Sequence, residues 1–288
     1  MRLPTFFLAV LVLVLSLFVV SARADTTVLG SAASFAVLGG SAVTNTPTSV
    51  ITGDVGIYSG TAISGFNSTA GMSTSDPQVS GTVENDTAVA EAAQASLYTA
   101  IIGLNALSSY TLSSTTLGAV TFTPGVYSIS ALTLNGTVTL NAGGQNNVDF
   151  IFLVGALTDN ANVVLEDPGS NDGVYWVEGS SATVDGSTFV GNVLAYTSIT
   201  IGPDVTITCG SALANTTAVT LDGDDTITTG CNGSPDISTS GVVEGAPGPG
   251  SAPVSTTPEP GTFALFLSGL LAVGLLTFRK SRVSSPSC

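Results

Sequence analysis

Histidine is absent from this 288-residue chain, and cationic side chains nearly so. The five Lys and Arg are Arg2, Arg23, Arg279, Lys280 and Arg282, so none falls in the long central stretch. Without His there is no imidazole base. Without a central cation, nothing stabilises the developing negative charge of a polysaccharide lyase. With a net charge of −15 and so few cations, the chain cannot neutralise phosphates, which excludes nucleic acid as a partner. Charged residues make up only 9% of the chain, against 44% hydrophobic residues and 33 Gly. Such a composition stays soluble only if the apolar positions are buried. Thr, Ser and Asn must then supply the solvated surface.

What is present in their place is a column of threonines. Five segments begin at Val126, Phe150, Val174, Val193 and Ala212, spaced 24, 24, 19 and 19 residues apart. Each sets a Thr between mostly apolar neighbours: Thr133, Thr158, Thr183, Thr200 and Thr220. A period near 20 residues with three short strands per repeat predicts a β-solenoid. Side chains alternate along a strand, so the flanking Leu, Ile, Val and Ala turn inward and the Thr turns outward. Stacked coils then form a Thr ladder with a rise of about 4.7–4.9 Å. A flat hydroxyl-and-methyl surface of this kind suits a partner that is itself a lattice.

The same pattern opens the chain. Phe35 to Leu38, Ala42 to Thr44 and Val50 to Thr52 read as three strands, with Thr44 in the ladder position and Gly53 and Gly56 as corners. Residues 61–83 read as loop. Residues 84–107 read as one helix, with Val89, Ala92, Ala93, Leu97, Ala100, Ile101, Leu104 and Leu107 as its apolar stripe and Asp86 or Thr87 as its cap. The side of the solenoid is the place to bury that stripe. Leu112 to Thr123 leads back into the coils. Third strands such as Val205 to Thr208 and Thr226 to Thr228 expose further threonines, but that column is expected to fail at Asn162-Val163-Val164 and at Thr188-Phe189-Val190. The strand-two column therefore carries more weight.

Both ends differ from this domain. Residues 1–24 read as a secretory signal, with an apolar run from Phe6 to Val20 before Ala22-Arg23-Ala24. Residues 25–232 form the solenoid domain. Residues 233–257 are a flexible Gly/Pro/Ser linker. Residues 258–288 open with Pro258-Glu259-Pro260, continue with an apolar stretch over 262–278 and close on basic residues.

Other residues admit two readings. Cys209 and Cys231 fall one coil apart, and export permits a disulfide; two half-buried free thiols are the alternative. Cys288 lies on the tail. Asp222-Gly223-Asp224-Asp225 resembles a calcium loop in composition, but it lacks a repeated Gly-rich pattern and reads as a solvated turn. Asp149, Glu166, Asp167, Asp172 and Glu178 are scattered carboxylates near coil corners, in principle a glycosidase pair. Without His, Arg or Lys beside them, catalysis is not expected. Trp176 and Tyr175 read as core and edge filler. No metal and no cofactor is expected.

Residues 29–46 (LGSAASFAVLGGSAVTNT) and 51–66 (ITGDVGIYSGTAISGF) resemble the opening of the DUF3494 ice-binding proteins. So do the helix near Asp86, FTPGVYSIS (122–130), VDFIFLVG (148–155), residues 174–200 and CGSALANTTAVTLD (209–222). The resemblance implies an all-β fold: a β-helix of roughly triangular section, one long α-helix packed alongside, and coils out of sequence order. It implies a secreted, non-enzymatic and monomeric ice-binding protein. The expected partner is the ice crystal surface, and the expected effect is inhibition of ice growth and recrystallisation. The family's T-A/G-x-T/N pattern fits Thr217-Ala218-Val219-Thr220, fits Thr197-Ser198-Ile199-Thr200 with Ser198 at the second place, and departs at Ser180-Ser181-Ala182-Thr183. The expected ice face is thus Thr44, Thr133, Thr158, Thr183, Ser198, Thr200, Thr217, Ala218 and Thr220.

The C-terminus resembles a PEP-CTERM sorting signal. That implies an exosortase-type processing enzyme as a second partner and export toward the outer surface of a Gram-negative bacterium. Membrane contact is then limited to transient anchoring through residues 262–278. A structural or adhesive component of an exopolysaccharide or biofilm matrix, with the same fold and no catalysis, is the alternative function.

Overall fold

The computed structural model describes residues 27–46 and 48–231. The expected signal (1–24), the linker, Cys288 and the sorting motif Pro258, Glu259 and Pro260 with its apolar stretch lie outside the described residues.

Short strands wind into parallel coils whose faces stack in register, a β-solenoid-like arrangement with one helix. Each coil supplies one strand to a first face and others to a second and a third. The first-face strands run in spatial order Asp54–Ile57, Phe35–Gly39, Ala212–Ala214, Asn192–Ala195, Gly173–Glu178, Asp149–Val154 and Gly125–Ile129. The opening coil therefore sits beside the last one, and the chain fills the space between from the far end. On two coils the second and third faces share one continuous strand, Leu132–Asn141 and Leu157–Glu166.

The interior follows from parallel register. Pairing of Tyr127 with Phe152 and of Phe152 with Trp176 brings aromatic rings onto successive rungs. The rings of Tyr127 and Phe152 lie 5.4 Å apart, and those of Phe152 and Trp176 stack at 4.1 Å. Burying such side chains contributes roughly 1.5–3 kcal/mol each. Along Gly173–Glu178, Val174 and Trp176 point into this core. Tyr175 and Val177 point to the opposite side, where they are also buried. Tyr175 is thus not edge filler; it is covered by the helix side of the molecule.

That cover is helix α1, Ala88–Asn105. Its 18 residues span about 27 Å at 1.5 Å per residue, enough to cross five or six coils. Thr87 caps it, its hydroxyl accepting from the Ala90 amide. Ala93, Leu97, Ala100, Ile101 and Leu104 pack on Phe35, Leu38, Ile151, Tyr175, Leu194 and Leu213 of the first face. Buried Gln94 donates to the Ala214 carbonyl at 3.1 Å. The helix starts four residues later than the apolar spacing predicts. Val83–Asn85 instead pairs with Val55 to Ile57 as a strand, and Asp86 turns through positive φ. Val89 and Ala92 face solvent, while Ala90 and Gln94 take the inner stripe.

Other sequence expectations also change. Residues 61–83 are not simply loop: Ala62–Ser64 extends the second face, and Met72–Thr74 pairs antiparallel with Val83–Asn85. Gly56 is not a corner but lies within the strand Asp54–Ile57. A Cβ there would stand 2.4 Å from Phe35 Cε1, so glycine admits the ring. Gly53, at φ 138°, does make a corner. Residues 110–122 form a short coil of their own, through Tyr110–Thr111, Thr116–Leu117 and Val120–Phe122.

Candidate functional site: the threonine face

The second face presents its strands' alternate residues to solvent. Along Ala218–Leu221, Val219 and Leu221 are fully buried while Ala218 and Thr220 turn outward. The same alternation holds at Ala182–Val184 and Ile199–Ile201, which bury their end residues and lift Thr183 and Thr200. Parallel pairing then aligns these threonines without a slip. Thr133 pairs with Thr158, Thr158 with Thr183, Thr183 with Thr200, Thr200 with Thr220, and Thr220 with Thr44. The structure adds a rung at each end: Thr116 beside Thr133, and Ser64 beside Thr44. These two escape sequence reasoning because their coils are irregular; the signal was only a Thr or Ser flanked by Leu117 or Ile63.

A second column lies two residues earlier. Ala42 pairs with Ala218 and with Ala62, and Ser198 lies one coil further, its hydroxyl 2.9 Å from that of Ser181. Small side chains keep this column low. None of the outward residues in either column is charged.

The hydroxyls divide into two groups. Among the described residues, those of Thr44, Thr133, Thr158, Thr183, Thr200 and Thr220 have no hydrogen bond to the protein, so they are left to solvent. Corner hydroxyls are engaged instead. Thr217 donates to the Thr197 carbonyl at 2.8 Å, Thr216 to the Tyr196 carbonyl at 2.7 Å, and Ser180 to the Gly155 carbonyl at 2.6 Å. Thr217, expected on the face, thus serves the corner that leads into it.

The carboxylates lie inside the fold or at corners. Asp159 follows Thr158 but points inward, fully buried, and burial pushes its carboxyl up to about 7. Glu178 is fully buried with neither oxygen hydrogen-bonded among the described residues, and burial holds it well above the usual carboxylate range. Asp172 accepts from the amides of Val148 and Gly169. Asp225 is turned inward to the amides of Val205 and Gly223, and burial raises it to about 6. Thr48 donates its hydroxyl to Asp224. Among the described residues no three Asp, Glu or Cys side chains converge as metal ligands.

Cys209 and Cys231 form a disulfide with Cα atoms 4.9 Å apart. They border an open cleft of about 390 Å³, with Thr27, Leu165, Pro168 and Asp172 among its lining residues. That cleft contains no residue of the threonine columns. The face itself is uncharged and periodic, which suits adsorption to an extended regular surface rather than capture of a small molecule.

The model of the ice-binding-like family matches residues 37–228. An ice-binding protein of Nostoc sp. (strain HG1) is 40% identical over 205 residues, covering 69% of this chain and 73% of that protein. The crystal structure of an ice-binding protein from the Antarctic ascomycete Antarctomyces psychrotrophicus superposes with a TM-score of 0.61 at 32% identity, over 69% of this chain and 96% of that one. The DUF3494 domain of the Shewanella frigidimarina ice-binding protein 1 gives 0.62 at 26% identity, over 70% and 96%.

Proposed function

The chain belongs to the ice-binding-like family, and on that premise we propose that it adsorbs to ice through the second face and thereby inhibits ice growth and recrystallisation. The observation that carries this reading is the unbroken register from Thr116 to Ser64, with the threonine hydroxyls unbonded by protein and no charged side chain among them. A β-branched Thr on a strand has a restricted χ1, so docking orders little that is not already ordered. Its methyl and hydroxyl together can hold first-shell water in fixed places, and that water merges with the lattice. Each rung contributes little; the rungs act together because the solenoid beneath them is close-packed. Long charged side chains would blur this spacing, and the face has none.

We also take the three-faced coil to have a triangular section, and the activity to be non-catalytic: the buried carboxylates serve the fold. Secretion through residues 1–24, and sorting to the cell surface through Pro258-Glu259-Pro260, accord with a protein whose partner lies outside the cell. Nothing in the fold favours the matrix-adhesive reading.

The test is ice recrystallisation inhibition and crystal shaping by the purified full chain beside Thr200→Tyr/Thr220→Tyr. Loss of both effects in the variant, with unfolding unchanged, is the expected result. Retained activity would remove the second face from the mechanism. An inactive parent would remove ice as the partner.

A further inference from the structure

The third face carries a second array of the same chemistry, laid out differently. Thr206–Thr208 and Thr226–Thr228 each bury the central isoleucine and lift two threonines, where the second face lifts one threonine and one small residue. Thr188 pairs with Thr206, Thr206 with Thr226, and Thr228 with Thr52. The array keeps Thr188 but is interrupted where the sequence predicts, by Asn162 and Val164 on one coil and by Val190 on the next, and again at Val50. Among the described residues none of these threonine hydroxyls hydrogen-bonds to the protein. The outcome is a net of hydroxyls about 4.7–4.9 Å apart between coils and roughly 6.4–6.8 Å apart along each strand.

We propose that this third face is a second ice-adsorbing surface, matched to a different crystal plane from the second face. The proposal rests on the ice-binding reading above. Charge matching supports it: ice is an uncharged lattice, and the outward positions of Thr188–Val190, Thr206–Thr208, Thr226–Thr228 and Val50–Thr52 carry no charged side chain, Glu166 standing at the far end of the face. Continuity supports it as well, because Leu132–Asn141 and Leu157–Glu166 run unbroken from one face to the other. Other partners fit less well. A protein partner is anchored by large apolar or aromatic groups, yet of the exposed large hydrophobics only Val50 stands here. Tyr98 is on α1, Tyr110 is on the first face and Tyr196 is at the corner before the second, so among the described residues the third face has no stacking platform for sugar. Because the two nets differ, two planes are covered by one rigid molecule.

The experiment is adsorption of the full chain, fused to a fluorescent protein, to a hemisphere cut from a single ice crystal. The parent is expected to light two sets of planes. Thr206→Tyr/Thr226→Tyr is expected to lose at least tenfold of the signal on one set and keep the other. Thr200→Tyr/Thr220→Tyr should do the reverse. A third-face variant with the parent's pattern overturns the proposal while leaving the ice-binding reading in place. A parent that binds no plane overturns both. Thermal unfolding of each variant checks the fold, and Thr208→Lys, at an exposed position, replaces the double variant if that one does not fold.

Discussion

Thr44 stacks on Thr220 in parallel register, so the first coil of the sequence and the last are neighbours in space. The amides of Gly40 and Ser41 both donate to the Thr217 carbonyl, closing the corner at this seam. The ladder is continuous only because chain ends distant in sequence meet here.

Gly40 should therefore be intolerant of a side chain. A Cβ would stand 2.5 Å from the Asn215 carbonyl oxygen and 2.6 Å from the Thr216 carbonyl carbon, both of them backbone. Gly40→Ala is expected to cost about 1–3 kcal/mol, whereas Gly118→Ala, whose nearest neighbour would be 3.6 Å away, should be near neutral. Urea midpoints compare the two. Hydrogen exchange at Thr44 and Asn45 should quicken in Gly40→Ala, and ice activity should fall as the seam opens. Equal midpoints for the two variants would show that the corner can yield.

The disulfide closes a loop at sequence separation 22. Beside it, buried Asn192 donates through Nδ2 to the carbonyls of Val174 and Cys231, tying the departing chain across two coils. Chain entropy assigns such a cross-link about 3 kcal/mol. The Cys209→Ser/Cys231→Ser variant should lose about that much in urea unfolding. Ice activity at low temperature should remain, because neither cysteine stands on a threonine column. Loss of activity without loss of stability would place the disulfide in the binding surface itself.

The ladder was legible in the sequence because one coil repeats the last: an apolar-Thr-apolar triplet can only lift its Thr when both neighbours are buried. Thr133, Thr183, Thr200 and Thr220 follow from that rule, while at Thr158 and Thr44 a buried polar residue, Asp159 or Asn45, takes the second inward place. The rule fails where a second layer covers the strand, since the first face is buried on both sides and alternation carries no label there. That is why Tyr175 reads as edge, and why Glu84 and Asn85 read as helix. Glu84 is held by the hydroxyls of Ser73, Thr82 and Thr87, partners that only the fold assembles. Glu178 was hidden for the same reason: nothing local says that a Glu closing Val-Tyr-Trp-Val turns into the core.

These buried acids make stability fall as pH rises, opposite to the usual acid denaturation. Burial lifts Asp149 and Asp159 to about 7 and Asp225 to about 6, with the Asp172 charge adding to Asp149; Glu178 lies well above its ordinary value. The unfolded values are near 3.9 for Asp and 4.3 for Glu. With the folded pKa above the unfolded one, the native state holds its protons more tightly. The stability is fully present below about pH 4 and is lost as pH climbs through 6 to 7, and further as Glu178 ionises. Glu84 acts the other way. Burial raises it, but the hydroxyls of Ser73, Thr87 and Thr82 bring it below its ordinary value, so its contribution is lost only as pH falls beneath about 4. A maximum near pH 4–5 follows. Calorimetry should give a higher Tm at pH 4.5 than at pH 8, by roughly 2–4 °C for each kcal/mol. Net charge changes in the same direction, so variants must separate the two causes. Glu178→Gln should raise Tm at pH 8 and change it little at pH 4.5, while Asp167→Asn, an exposed control, should leave the slope intact. A Tm that rose steadily from pH 4.5 to 8 would mean that these carboxyls find charge partners or water that the buried core does not provide.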